Sequence, residues 1–110
     1  MQVLFDQATP VPIRFYLEVH TVSTAFQQGW DKLKNGELLS AAEKAGFDLF
    51  LTTDKNMSYQ QNLAGRKIAI VVPGRQQWPH VRPFIQHVVD AVNAVQPGSF
   101  TVSPPPSAAL

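Results

Sequence analysis

Apolar residues in this chain follow two patterns. Short unbroken runs, Val3-Leu4-Phe5 and Ile68-Ala69-Ile70-Val71-Val72, suit strands buried on both faces. Elsewhere the apolar residues recur at helical spacing. Leu38, Leu39, Ala42 and Ala45 follow Asn35-Gly36 and stop at Gly46, which predicts a helix. Apolar residues at 81, 85, 88, 92 and 95 step by four and three, predicting an amphipathic helix over 80–95 whose start is confined by Pro79 and Pro83.

The remaining elements fill in between. Residues 2–6, 20–25, 49–53 and 67–72 read as strands. Thr9-Pro10 has the form of an N-cap followed by proline, opening a helix that carries Ile13, Phe15, Tyr16 and Leu17. Residues 27–33 read as irregular or as one helical turn. Ser58-Tyr59-Gln60-Gln61 has the form of a capping box. Pro97 and Gly98 stop the last helix, and Ser103-Pro104-Pro105-Pro106-Ser107 suits neither a ladder nor a helix interior. The expected organisation is one domain over 1–97 and a loose proline-rich tail over 98–110. Strands alternating with helices imply an α/β sandwich of three layers with a mainly parallel sheet of four to five strands.

Composition narrows the function classes. With 110 residues there is room for about one domain, and 45% apolar against 15% charged residues excludes a disordered chain. The absence of cysteine excludes a disulfide scaffold, a thiolate zinc site and a Cys nucleophile. No apolar run approaches the roughly 20 residues of a membrane span. Met1-Gln2-Val3-Leu4-Phe5-Asp6 lacks the basic region of a signal peptide, so a soluble cytoplasmic domain is expected. Dinucleotide-binding and P-loop glycine motifs are absent, as is Gly-x-Ser-x-Gly. His80 and His87, about 10.5 Å apart along one helix, are too far apart to share an ion, and His20 has no partner by spacing. Trp30 and Trp78 suit core, rim or subunit contacts.

The net charge of +1 conceals a division. Seven of the eight acids (Asp6, Glu18, Asp31, Glu37, Glu43, Asp48 and Asp54) precede residue 55, whereas residues 55–89 hold Lys55, Arg66, Lys67, Arg75 and Arg82 with no acid. Such a division either places a cation site beside a polyanion-binding rim or merely solvates a surface.

Ligands of an open parallel sheet bind beyond the carboxyl ends of its strands. Asp6 and Asp54 follow two predicted strands, and Glu37 lies in the first turn of a helix whose start points to that edge. Three carboxylates without cysteine suit a hard cation such as Mg²⁺ or Mn²⁺. Each also has a plain structural role: a turn at Asp6, the helix dipole at Glu37, a turn before Lys55-Asn56 at Asp54. Lys34, beside Asn35, is placed to meet a phosphate. The amide-rich stretch Asn56, Tyr59, Gln60, Gln61 and Asn62 could hold RNA bases or sugars, with Arg66 on a phosphate, or simply cap and solvate.

Phe5-Asp6-Gln7-Ala8-Thr9-Pro10-Val11-Pro12, Leu33-Lys34-Asn35-Gly36-Glu37-Leu38-Leu39, Gly46-Phe47-Asp48, Leu51-Thr52-Thr53-Asp54-Lys55-Asn56 and Tyr59-Gln60-Gln61-Asn62-Leu63-Ala64-Gly65-Arg66 together resemble a family of small bacterial PIN-like proteins. That family looks like a compact branch of the PIN-domain nucleases, which include VapC-type toxins. The resemblance implies a Mg²⁺- or Mn²⁺-dependent ribonuclease encoded beside a small antitoxin. Asp6, Glu37 and Asp54 match its acids. The usual fourth acid has no clear counterpart, Glu18 being nearest by order, and Gln7 stands where relatives have Glu. A catalytically silent module that binds a partner protein or RNA is the rival reading, and a homodimer through helix 80–95 fits both.

Overall fold

The computed structural model of the protein describes residues 1–53 and 66–103. Val3, Leu4 and Phe5 are almost wholly buried, as are Leu49, Phe50, Leu51 and residues 69–73, because their strands are covered on both sides. The strands are β1 (Gln2–Phe5), β2 (Thr21–Thr24), β3 (Leu49–Leu51), β4 (Ala69–Pro73) and β5 (Phe100–Ser103), in the order β2-β1-β3-β4-β5. Every neighbouring pair is parallel: Val3 pairs with Val22 on one side and Leu49 on the other, and Leu49 pairs with Ala69. The fold is α/β.

Alternation along each strand divides the core. Val3, Phe5, Leu49, Leu51, Ala69 and Val71 meet Ile13, Leu17, Val81, Val88 and Val92 in one layer. Leu4, Phe50, Ile70 and Val72 meet Leu38, Leu39, Ala42 and Phe47 in the other. The first layer is built from a 3₁₀ helix (Val11–Tyr16), α2 (Trp78–Val81), a 3₁₀ turn (Arg82–Phe84) and α3 (Ile85–Asn93). The second is built on α1 (Asn35–Lys44). Among the described residues, no helix is long and apolar enough to cross a membrane.

α1 ends where glycine allows it to end. The Gly46 N–H donates to the Glu43 carbonyl at 3.1 Å, and the Phe47 N–H to the Ala42 carbonyl at 3.0 Å. This is a Schellman pair, and it requires the left-handed conformation that Gly46 adopts at φ +89°. It turns the chain back so that Phe47 joins the core beside Ala42.

Several expectations are corrected. The segment after Pro10 is a 3₁₀ helix with i→i+3 bonds, Ile13 N–H to Pro10 and Leu17 N–H to Arg14. Only Ile13 and Leu17 reach the core from it, while Phe15 and Tyr16 are exposed. Thr9 does not cap it; its side chain is engaged elsewhere. The predicted helix over 80–95 is interrupted near Pro83, which lacks an N–H, although its apolar positions pack as the spacing implies. Val81, Val88 and Val92 on that segment are buried, whereas Phe84, Ile85, Val89 and Val95 are half-buried. β5 falls within the segment expected to be a tail: Phe100 and Val102 pack on the second core layer, and the sheet extends to Ser103. The capping box at 58–61 lies outside the described residues.

Gly46→Ala is expected to destabilise the protein by about 1 kcal/mol, from the positive φ alone. The space around its Cβ is open, so no steric cost adds to this. Urea denaturation checks the value, and an unchanged midpoint would contradict the Schellman geometry.

Candidate functional site

The chain passes from β1 to β2 on one side, then returns across β1 to form β3. This reversal opens a crevice at the carboxyl ends of β1 and β3, the usual place for a ligand in an open parallel sheet. Asp6 stands there, one residue past β1, and its N–H donates to the Leu51 carbonyl at 3.2 Å.

Its side chain is held from three directions. Asp6 Oδ1 accepts the Thr9 N–H at 2.9 Å and the Thr9 hydroxyl at 2.5 Å. Asp6 Oδ2 accepts the Thr52 hydroxyl. Thr9 Oγ1 also lies 2.9 Å from the Leu51 carbonyl, so one hydroxyl proton serves two acceptors. Thr9 and Thr52 are buried and Asp6 is half-buried. These bonds pin the carboxylate and also tie β1, its turn and β3 together.

Two clefts flank this point. One, of about 310 Å³, is lined by Asp6, Gln7, Trp30, Asp31, Lys34 and Phe50, among others. The second, of about 390 Å³, is lined by Asp6, Gln7, Thr9, Val11, Thr24 and Phe26. The Gln7 side-chain amide crosses to the Asp31 carbonyl at 2.9 Å, linking the two sides of the first cleft.

The sequence-predicted residues are brought together unevenly. Lys34, immediately before α1, lines the cleft with Asp6, and Asn35 is the first residue of α1. Glu37 is in the first turn of α1, exposed, and not part of that lining. Arg66 lies far from the crevice, at the amino edge of the sheet. Its guanidinium is 3.7 Å from Glu43 and 3.4 Å from the Ser40 hydroxyl, near the end of α1. Glu18, three residues before β2, is exposed at that same amino edge. Asp54, Lys55, Asn56 and Gln60 lie outside the described residues. Among the described residues, no group of three or more His, Asp or Glu side chains gathers to hold a metal ion. His20 finds a partner that spacing did not reveal: its Nε2 is 2.8 Å from Asn93 Oδ1.

Sequence reasoning missed Thr9, Thr52 and Asp31. The Asp6-x-x-Thr9 spacing carried a signal, since a carboxylate readily accepts a backbone N–H a few residues on. Asp31, in a loop without periodicity, carried none.

Thr9→Val and Thr52→Val are each expected to lower unfolding free energy by about 1–3 kcal/mol, because a carboxylate oxygen loses a hydroxyl donor without regaining water fully. Chemical denaturation of the two variants checks this, and values near zero would mean that the hydroxyls do not hold Asp6.

No protein-family model matches the chain, and comparison with curated proteins and with solved structures finds no significant match.

Proposed function

We propose that the crevice at the carboxyl ends of β1 and β3 hydrolyses RNA phosphodiesters with the help of Mg²⁺ or Mn²⁺, in the toxin half of a toxin–antitoxin pair. The observation that carries this reading is Asp6: a carboxylate locked by three donors at the sheet's reversal point, with a cleft on either side. The PIN-like motifs around Asp6 and Leu51-Thr52-Thr53-Asp54 support the same chemistry.

The donor chemistry at Asp6 fits such an ion. Oδ1 accepts two hydrogen bonds and Oδ2 one, so one lone-pair direction of Oδ2 remains among the described residues. Mg²⁺ commonly takes only one or two carboxylates and keeps several waters. Asp6 would be one ligand and Asp54, the residue after Thr53, a second. Glu37, the third proposed ligand, is exposed and outside the cleft lining, which leaves it a weaker role. When bound, the ion supplies a more acidic water and offsets charge on the phosphate. Asp6 would hold the ion through that one remaining direction of Oδ2, and Lys34 on the rim would face the phosphate charge. Hydrolysis there would join the water oxygen to phosphorus and break one ester P–O bond, the proton lost by the water ending on the departing oxygen.

A second reading, a silent module that binds RNA or a partner such as a small antitoxin, is favoured by one observation. The hydrogen bonds to Asp6 already explain its presence as a fastening of the β1 turn, and no three-residue acidic cluster accompanies it among the described residues.

Calorimetric titration of Mn²⁺ separates the two. Asp6→Asn is expected to lower Mn²⁺ affinity at least roughly ten-fold through the lost ligand charge, and Glu37→Gln distinctly less. Cleavage of a labelled RNA by the parent, lost in Asp6→Asn, completes the nuclease case. A parent that neither binds Mn²⁺ nor cuts RNA overturns the nuclease reading and favours the silent module.

A further inference from the structure

The cleft of about 310 Å³ has an apolar base and a polar mouth. Ala25, Leu38 and Phe50, all buried, close it from within, and Asp6, Asp31 and Lys34 stand at its opening. Trp30 forms part of the wall and is half-buried.

The backbone holds Trp30 there by the same device that ends α1. The Gly29 N–H donates to the Phe26 carbonyl at 3.0 Å and the Trp30 N–H to the Ala25 carbonyl at 2.9 Å, with Gly29 left-handed at φ +78°. The two Schellman pairs thus each deliver an aromatic residue, and these meet: Trp30 and Phe47 pack edge to face, with centroids 6.0 Å apart and planes at 74°. The indole is therefore braced on one side and borders open space on another.

We infer that this cleft receives an unpaired nucleobase, stacked on Trp30, from a single-stranded RNA whose adjoining phosphate lies at Lys34. Taking RNA as the ligand rests on the reading proposed above. A flat apolar wall accepts any base by its π-face, and stacking demands that the base leave a duplex. Gln7 adds a restrained polar group: its side-chain amide donates to the Asp31 carbonyl at 2.9 Å, and the amide has further hydrogen-bonding capacity for a base edge. Lys34 is the cation in the cleft lining and would meet the phosphate, beside the carboxylates of Asp6 and Asp31.

The test is done in EDTA, so that it does not depend on hydrolysis. The Trp78→Phe variant leaves Trp30 as the sole indole, and its emission is followed while a six-residue adenine ribo-oligomer is added. Saturable quenching is expected, with the same six adenines enclosed in a longer, stably paired RNA duplex binding at least roughly ten-fold more weakly. By anisotropy of a labelled oligomer, Trp30→Leu should bind roughly ten-fold or more weakly, and Trp30→Phe within about three-fold of the parent, since a ring remains. Unchanged Trp30 emission, or parental affinity in Trp30→Leu, overturns the inference. Quenching by a protein that never cuts RNA in Mn²⁺ removes the hydrolytic reading and leaves the stacking site standing. Cutting with silent Trp30 emission does the reverse.

Discussion

An all-parallel sheet must be covered on both faces, since its strands have no polar side to offer water. Val3, Phe5, Leu49 and Leu51 point to one layer and Leu4, Phe50 and Ile70 to the other, so the three central strands are apolar at every position but the exposed Gln2 that opens β1. A chain of 110 residues has little material left with which to build those layers. Among the described residues, one face is covered by a 3₁₀ segment and a proline-interrupted helix, the other by the ten-residue helix α1 and the loop before it. Short connections follow from this economy. They are the reason that Gly29 and Gly46 reverse the chain within single turns and hand Trp30 and Phe47 to the same core layer.

The same constraint shapes the carboxyl edge. A strand as short as β3 ends before its turn is secured, and Asp6 supplies the missing connection. Its N–H extends the β1–β3 pairing, and its carboxylate gathers the Thr9 and Thr52 hydroxyls. Fold and proposed chemistry use the same atoms. A carboxylate immobilised in this way loses little further freedom when it meets a cation or a water, which is how a structural fastening becomes a positioned ligand. Conversely, the hydroxyls that orient Asp6 also occupy most of its lone pairs, and this limits it to a single additional partner.

Much of the architecture was legible in the residue pattern. The run Val3-Leu4-Phe5 and the stretch Ile68–Val72 are too apolar for any place but a doubly covered strand, and Leu38, Leu39 and Ala42 can share a buried side only on a helix. Asp6 at a strand end, and Lys34 near the start of α1, were placed correctly by connectivity alone. Phe100-Thr101-Val102 was not read as a strand, because the proline run that follows is a local signal and its partner β4 is remote in sequence. Thr9 suited an N-cap locally, but a carboxylate three residues earlier and a carbonyl 42 residues later compete for the same hydroxyl.

The sequence by itself determined which segments must be buried, where glycine lets the chain reverse, and that acids follow its strands. Those properties are local: apolar area, allowed φ and side-chain period act within a few residues. Only the tertiary structure decided which charged groups share a cleft. Asp31 and Lys34 stand with Asp6, whereas Arg66 is drawn to Glu43 at the opposite edge, because α1 runs back against the strands and carries its last turn away from the crevice. Strand order set that arrangement, and strand order comes from packing between segments that are distant in the chain.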